Sequence, residues 1–402
     1  MKNFILSIQH LLAMFGATVL VPILTGFDPS VAIFCAGLGT LIFHICTKGK
    51  VPVFLGSSFA FIPVVISANQ ISNGDKAFAQ GGIIVAGFIY ILLSFVIKFI
   101  GIDKVKKYFP PQVTGAMIAV IGLNLLPSAV DMAVENIAIA LITLIIAILI
   151  NVFGKGFLKQ LGILIAVGFG YLLSMISNGV DVSSITNATL FQIPNFTLPK
   201  FSLEAIIIIA PIVIAVFMEH VGDMTTNGTV VGKNFIEDPG LNRTLLGDGL
   251  ATVVSGLIGG PANTTYGENT AVLAITKNYN PSLLRFTAVY AILLSFIGVF
   301  GAFLQSIPSA VMGGISIMLF SMISYIGIRT IKDNKSFKSI KNLIVIISII
   351  VIGIGTSYLS NKGISIGIPI TSNVSITGLS LAAIVGLILN RILNHKEFKN
   401  SK

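Results

Sequence analysis

Tryptophan is missing from this 402-residue chain, and cysteine occurs twice, at Cys35 and Cys46. Any aromatic belt at a membrane surface therefore has to come from Tyr and Phe. The two cysteines share one apolar run, and on a helix rising about 1.5 Å per residue they stand about 16 Å apart. That is beyond disulfide reach, so they read as small core residues. Charge is scarce as well. Asp, Glu, Lys and Arg make up 10% of the residues, and hydrophobic residues reach 54%. Soluble domains carry about 25% charged residues, so an ordinary soluble globule is excluded and an integral membrane protein remains. Acid is scarcer than base, 15 residues against 25, for a net charge of +10. Such an excess raises nucleic acid as a partner, but the Lys and Arg residues sit in short loops between apolar runs. There they report topology, and no nucleic-acid partner is expected.

Enzyme signatures are lacking too. There is no G-x-x-x-x-G-K-[ST] phosphate loop, no H-E-x-x-H and no G-x-S-x-G elbow. The four histidines, His10, His44, His220 and His395, are too scattered for a metal site, and His395 in the basic tail is given no role. The chain is expected to be no enzyme and to need no metal or cofactor.

What the chain does have is apolar length. A membrane-spanning helix needs about 20 apolar residues. Fourteen segments read as spans: 4–25, 30–47, 51–69, 80–100, 110–128, 136–153, 157–178, 203–222, 243–259, 262–276, 283–304, 308–328, 340–358 and 373–394. The first holds His10 and lacks a small-residue cleavage site, so it reads as a retained span and not a signal peptide. The longest polar connection, from Ser177 to Lys200, divides the segments seven and seven. With the N-terminus inside, 22 Lys and Arg residues fall in inside segments and three, Lys76, Lys200 and Lys362, fall outside. The positive-inside rule then sets both termini in the cytoplasm.

Seven spans per half bring the second half into the membrane with opposite orientation, the inverted-repeat plan of many secondary transporters. Pro110-x-x-Val113-x-Gly115 opens span five, and Pro308-x-x-Val311-x-Gly313 opens its partner, span twelve. Spans three and ten also correspond, and both are interrupted. The first carries Gly56-Ser-Ser-Phe59-Ala-Phe-Ile-Pro63, the second Pro261 to Asn269. Interruptions at corresponding positions of two halves point to a transport site, because they free backbone N–H groups for a ligand.

Acids mark the same regions. Glu268 lies inside the broken tenth span, where an intramembrane ionisable residue is a functional-site hypothesis by default. Glu219 and Asp223 stand in Glu219-His-Val-Gly-Asp223 at the end of span eight. For Glu219 two readings stand, a site carboxylate or an acid reaching for the inner interface, and Asp223 is nearer that interface. Asp248, near the inner end of span nine, reads as structural. His10 reads as a helix–helix hydrogen-bonding residue or a ligand.

Four stretches together resemble the nucleobase–ascorbate transporter (nucleobase:cation symporter-2) family, closest to its bacterial uracil permease branch. They are Gly260-Pro-Ala-Asn-Thr-Thr-Tyr-Gly-Glu-Asn269, Glu219-His-Val-Gly-Asp223, the run from Gln9 through Ala17 to Pro22, and Leu55-Gly-Ser-Ser-Phe-Ala-Phe61. The resemblance runs from about Ser7 to Leu393. It implies an all-α polytopic protein of fourteen spans in a seven-plus-seven inverted repeat, with spans 3 and 10 broken by short antiparallel β-strands. It further implies a core domain from residues 1–103 and 203–305, a gate domain from 104–180 and 306–402, and an outside loop at 181–202. Glu219 and Glu268 would hydrogen-bond the base, the backbone amides of Phe59 and Gly267 would contact it, and Ala17 and Tyr266 would line the pocket. His10 would support the site from span one. Asp223 departs from the best-known uracil permeases, which carry histidine there.

The chemistry agrees independently. Uracil offers two ring N–H donors and two carbonyl acceptors in one plane, which carboxylates and freed backbone N–H groups can pair. A buried polar site of this kind rejects analogues that leave its groups unpaired. The expectation is a proton-coupled uracil importer of the bacterial cytoplasmic membrane, with Glu219, Asp223 and His10 in the coupling. The alternatives are a xanthine or broader nucleobase permease and, more distantly, an anion transporter of a related fold, which two acids at the site disfavour. The lipid bilayer is the surrounding partner. Homodimerisation is an expectation from the resemblance alone.

Overall fold

Local signals start and stop most of the helices. In the computed structural model, which describes residues 2–101, 108–177, 179–362, 364, 366–370 and 375–394, α1 (Lys2–Thr25) leads to α2 (Pro29–Cys46). Asp28 caps α2 by accepting from the Ser30 and Val31 amides, and Pro29 fills its first turn, where a missing N–H costs nothing. Strand β1 (Leu55–Ser57), a 3-10 turn (Phe59–Phe61) and α3 (Ile62–Ile71) follow, then α4 (Lys76–Ile100), α5 (Pro111–Val134), α6 (Ile137–Phe153) and α7 (Gly162–Ser177). The second half holds α8 (Leu203–Ile209), α9 (Val213–Val231), α10 (Leu241–Ile258), β2 (Asn263–Thr265), α11 (Gly267–Thr276), α12 (Pro281–Ser295), α13 (Gly298–Gln305), α14 (Ser309–Asp333) and α15 (Ile340–Asn361). It ends on the short strands β3 (Ile368–Pro369) and β4 (Ser375–Ile376) and α16 (Gly378–Leu393).

The protein is a predominantly helical, multi-pass membrane protein. Among the described residues, seven helical stretches are long and apolar enough to cross a membrane, and five shorter apolar helices accompany them. Two segments depart furthest from the sequence reading. The eighth, expected to end near residue 222, continues through a 3-10 turn at Ala210–Ile212 to Val231 and stops at left-handed Gly232. Its last turns are Thr225-Thr-Asn-Gly-Thr229, too polar for hydropathy to count yet helical all the same. The eleventh, expected as one span, breaks at Phe296 and Ile297. There the Gln192 amide donates to the Phe296 carbonyl, the Gly298 amide donates to the Leu190 carbonyl, and Phe191 stacks on Phe296. Backbone from a distant loop thus replaces the helix's own partners. Lys104, Lys106, Lys107, His395, the terminal lysines and the 103/104 domain boundary lie outside the described residues.

The cations segregate. Lys50 pairs with Asp238, Arg243 donates to the Cys46 carbonyl, and Arg285 approaches Gly49, all at the C-terminal end of α2. Lys200 pairs with Asp75 at 2.8 Å, and Lys76 lies against Gly26, both at its N-terminal end. Eighteen residues of α2 separate the two groups by about 27 Å.

Packing falls into two groups joined by few contacts. Helices α5, α6, α7, α14, α15 and α16 pack on one another, as do α1, α2, α4, α10 and α12, and α9 touches both groups. Close approaches recur in matched pairs. A Cβ on Gly37 would lie 2.5 Å from the Ala288 carbonyl and 2.8 Å from Ile292, and one on Gly249 would lie 3.0 Å from both the Gly87 carbonyl and Ile91. Ala288 and Ile292 stand to Gly87 and Ile91 at one constant offset along the chain. Likewise Gly115 abuts Ile331 while Gly313 abuts Ala133, again at one offset.

Candidate functional site

Helix-breaking Gly, Pro and Ser hold the backbone extended at two places, and each supplies the other's hydrogen bonds. Strands β1 and β2 pair antiparallel, Leu55 opposite Thr265, Gly56 opposite Thr264 and Ser57 opposite Asn263. The ladder is extended by Ser58 N–H to the Ala262 carbonyl at 2.8 Å and Tyr266 N–H to the Phe54 carbonyl at 3.1 Å. All six strand residues are buried, and backbone there is tolerated because it is paired. Side chains fasten the pair to the helices. Thr40 accepts from the Leu55 amide at 2.8 Å and donates to the Ala36 carbonyl, and the Asn263 amide group donates to the Cys35 and Ala251 carbonyls.

Each strand feeds a helix that starts at the centre of the protein, the 3-10 turn and α3 after β1, and α11 after β2. The first N–H groups of a helix have no partner within it and carry positive partial charge. Phe59 and Gly267 head these two starts. The Phe59 ring turns away, meeting Phe320 of α14 edge-on at 5.8 Å, which leaves its backbone at the strand end. Gly267 is exposed although Tyr266 and Asn269 beside it are buried, and a Cβ there would meet nothing within 4 Å.

Three carboxylates converge on that opening. Glu219 and Asp223 lie one turn apart on α9, and Glu268 lies in the first turn of α11. All three are half-buried. Glu219 is within electrostatic range of Asp223, Glu268 and Asp248. One Glu219 oxygen, Oε2, is buried without a hydrogen-bond partner, whereas Asp223 Oδ2 accepts from the Thr265 hydroxyl at 2.7 Å. Gly222, between the two acids, faces space as well, since a Cβ there would meet only Ile118 of α5, at 3.7 Å. Farther along α9, Thr225, Thr226 and Thr229 are exposed, and the helix ends beside Lys233.

Ala17 is fully buried on α1. His10 is fully buried, and the Asn269 amide group donates to its carbonyl at 3.1 Å and lies 3.3 Å from its Nδ1, so His10 meets α11 through Asn269. Tyr266 lies across Gly56 and donates its hydroxyl to the Ser57 carbonyl at 2.9 Å. Asp248 lies 2.8 Å from His220 Nδ1, while His220 Nε2 lies 2.8 Å from the Thr244 hydroxyl. Among the described residues, no group of three or more His, Cys, Asp and Glu side chains could hold a metal ion.

Sequence reasoning missed Thr265, Asn227 and Asn269. The Asn227 amide group donates to the Pro52 carbonyl at 3.1 Å and to Thr270 at 3.0 Å. Its signal was present, since Glu219, Asp223 and Asn227 recur every four residues and so share a helix face. Thr265 had no such signal, because its partner is set by the strand pairing.

Carboxylate acceptors thus lie close to the helix-start N–H donors of α11, a set that a small planar solute carrying both N–H and C=O groups can pair. Comparison with known proteins follows the same line. The sequence model of the Permease family (Xan_ur_permease) matches residues 1–362. The uracil permease of Bacillus caldolyticus is 41% identical over 404 residues, covering 96% of this chain and 91% of that protein. Among solved structures, SLC26A9 superposes with a TM-score of 0.72 at 9% identity over 98% of this chain, which spans 65% of the SLC26A9 chain. The transmembrane domain of a cyanobacterium bicarbonate transporter, BicA, gives 0.65 at 15% identity over 96% of both chains. At such identities the likeness is one of fold.

Proposed function

The chain belongs to this permease family, and on that premise we propose that it is a proton-coupled uracil importer of the bacterial cytoplasmic membrane working by alternating access. The observation that carries the reading is the convergence of Glu219, Asp223 and Glu268 on the open space beside Gly267, at the ends of two paired strands. Glu268 and Glu219 accept from the ring N–H groups of the base, and the amides of Phe59 and Gly267 donate to its carbonyls. Three carboxylates in a water-poor setting repel one another, and a proton taken up by Glu219 removes part of that repulsion. Release of that proton on the opposite side couples transport to the gradient.

Fourteen spans in a seven-plus-seven inverted repeat complete the proposal. The matched contacts of Gly37 and Gly249, and of Gly115 and Gly313, support it, as does the symmetric strand pair. The group containing α1, α2, α4, α10 and α12 acts as the core that carries the base. The group around α5 and α14 acts as the gate. The basic end faces the cytoplasm, so the exposed Thr225, Thr226 and Thr229 line an inward opening.

Uptake of labelled uracil into proteoliposomes with an imposed pH gradient tests this, with xanthine, thymine and hypoxanthine as competitors. Gradient-driven uptake that uracil blocks and xanthine does not is the expected result. Preferential block by xanthine or hypoxanthine replaces uracil with a purine substrate, and uptake indifferent to the gradient removes the proton coupling.

A further inference from the structure

The turn between α14 and α15 carries Arg329, Lys332, Lys335, Lys338 and Lys341, a cation at every third residue. Asp333 is the single acid in that stretch, and it is paired with Arg329 at 3.2 Å. No ion pair among the described residues engages the four lysines. Two large apolar side chains are set among them and face outward, Phe337 at 48% exposure and Ile340 at 78%. Ser336 is buried, and the turn packs on α14 and α15, so it is seated on the protein and not free.

Setting topology requires the charges alone. It does not require Phe337 and Ile340 beside them at the level where an apolar helix of 25 residues leaves the membrane. Cations next to exposed apolar side chains match the boundary between anionic headgroups and acyl chains. We propose that this turn docks on anionic phospholipid headgroups, with Lys332, Lys335, Lys338 and Lys341 engaging phosphate and Phe337 and Ile340 entering the acyl boundary. The contact holds the α14–α15 hairpin at the bilayer surface.

The absence of tryptophan makes the test direct, because Phe337→Trp introduces a single indole into the full chain. The purified variant is reconstituted into phosphatidylcholine vesicles containing phosphatidylglycerol, with bromine on the acyl chains of one lipid or the other. Brominated phosphatidylglycerol is expected to quench the indole severalfold more than brominated phosphatidylcholine at equal fraction. The preference is expected to vanish when all four lysines become Gln and to survive when they become Arg. Equal quenching by both lipids, or a preference that persists in the Gln variant, overturns the headgroup contact. Absence of quenching by either lipid also overturns it, by placing the turn in water or against another protein.

Discussion

The Thr265 hydroxyl donates a 2.7 Å hydrogen bond to Asp223 Oδ2, and through it strand β2 takes hold of helix α9 beside the candidate site. A hydrogen bond to a charged group contributes about 1.5–3 kcal/mol. Thr265→Val, which keeps the shape and removes the donor, is expected to weaken uracil binding by about tenfold or more. In an Asp223→Asn background the same change is expected to cost much less. Binding isotherms over the four proteins of the cycle measure the coupling, and additive losses would detach this bond from the site.

Glu268→Gln replaces a carboxylate acceptor by a group that is half donor. Uracil affinity is expected to fall by about tenfold to a hundredfold, with the thermal transition of the purified protein unchanged. Affinity close to that of the parent protein would remove Glu268 from the ligand contacts.

Two glycines separate folding from binding. A Cβ on Gly56 would collide with the Tyr266 ring, whereas one on Gly267 meets open space. Gly56→Ala is expected to lower stability by about 1–3 kcal/mol. Gly267→Ala is expected to leave the melting temperature alone and to weaken binding, because the space it fills is the one proposed for the base. Melting and binding measured together decide it; a stable Gly267→Ala protein with parental affinity would empty the site of ligand.

The exposed face of α9 yields an accessibility pattern. In a background with Cys35 and Cys46 replaced, Thr226→Cys and Thr229→Cys are expected to react with a membrane-impermeant thiol reagent applied from the basic side. Thr244→Cys, buried behind His220, is expected to stay unlabelled. Equal reactivity at all three positions would contradict an opening along α9.

At the opposite end, the Lys200 ammonium beside Asp75 and the Ala77 amide hold the Asp75 carboxyl below its ordinary range, which is about 3.9. A lowered value means that the pairing contributes fully above the ordinary range and is lost only as pH falls through the lowered one. The loop that leads to Lys200 is therefore expected to resist proteolysis equally at neutral and mildly acidic pH. Asp75→Asn is expected to raise cleavage at both. A cleavage rate in the parent protein that rises already near pH ~5 would break the assignment.

Much of the architecture was legible because hydropathy and helix breaking are properties of chain neighbours. The apolar runs, the interruptions at Gly56-Ser-Ser and Gly259-Gly-Pro, and the isolated acids Glu219 and Glu268 can all be read without a partner in view. The same locality explains the misreadings. Thr225 to Thr229 looked like the end of a span because polarity was taken for exposure to water outside the membrane, while the helix runs on to Val231, with Thr225, Thr226 and Thr229 exposed and Asn227 buried against Pro52 and Thr270. The break after Ser295 had no local cause, since its partners Leu190 and Gln192 come from a loop more than a hundred residues away.

By itself, then, the sequence determined where the chain is apolar, where it cannot remain helical and which side chains carry charge. Only the tertiary structure decided what the broken segments bond to. Leu55 faces Thr265, Thr265 takes Asp223, His220 turns to Asp248 and Thr244, and Tyr266 covers Gly56. The reason is physical. A buried N–H or C=O freed from a helix must find a partner, and which partner comes within hydrogen-bonding distance depends on how segments some two hundred residues apart pack together.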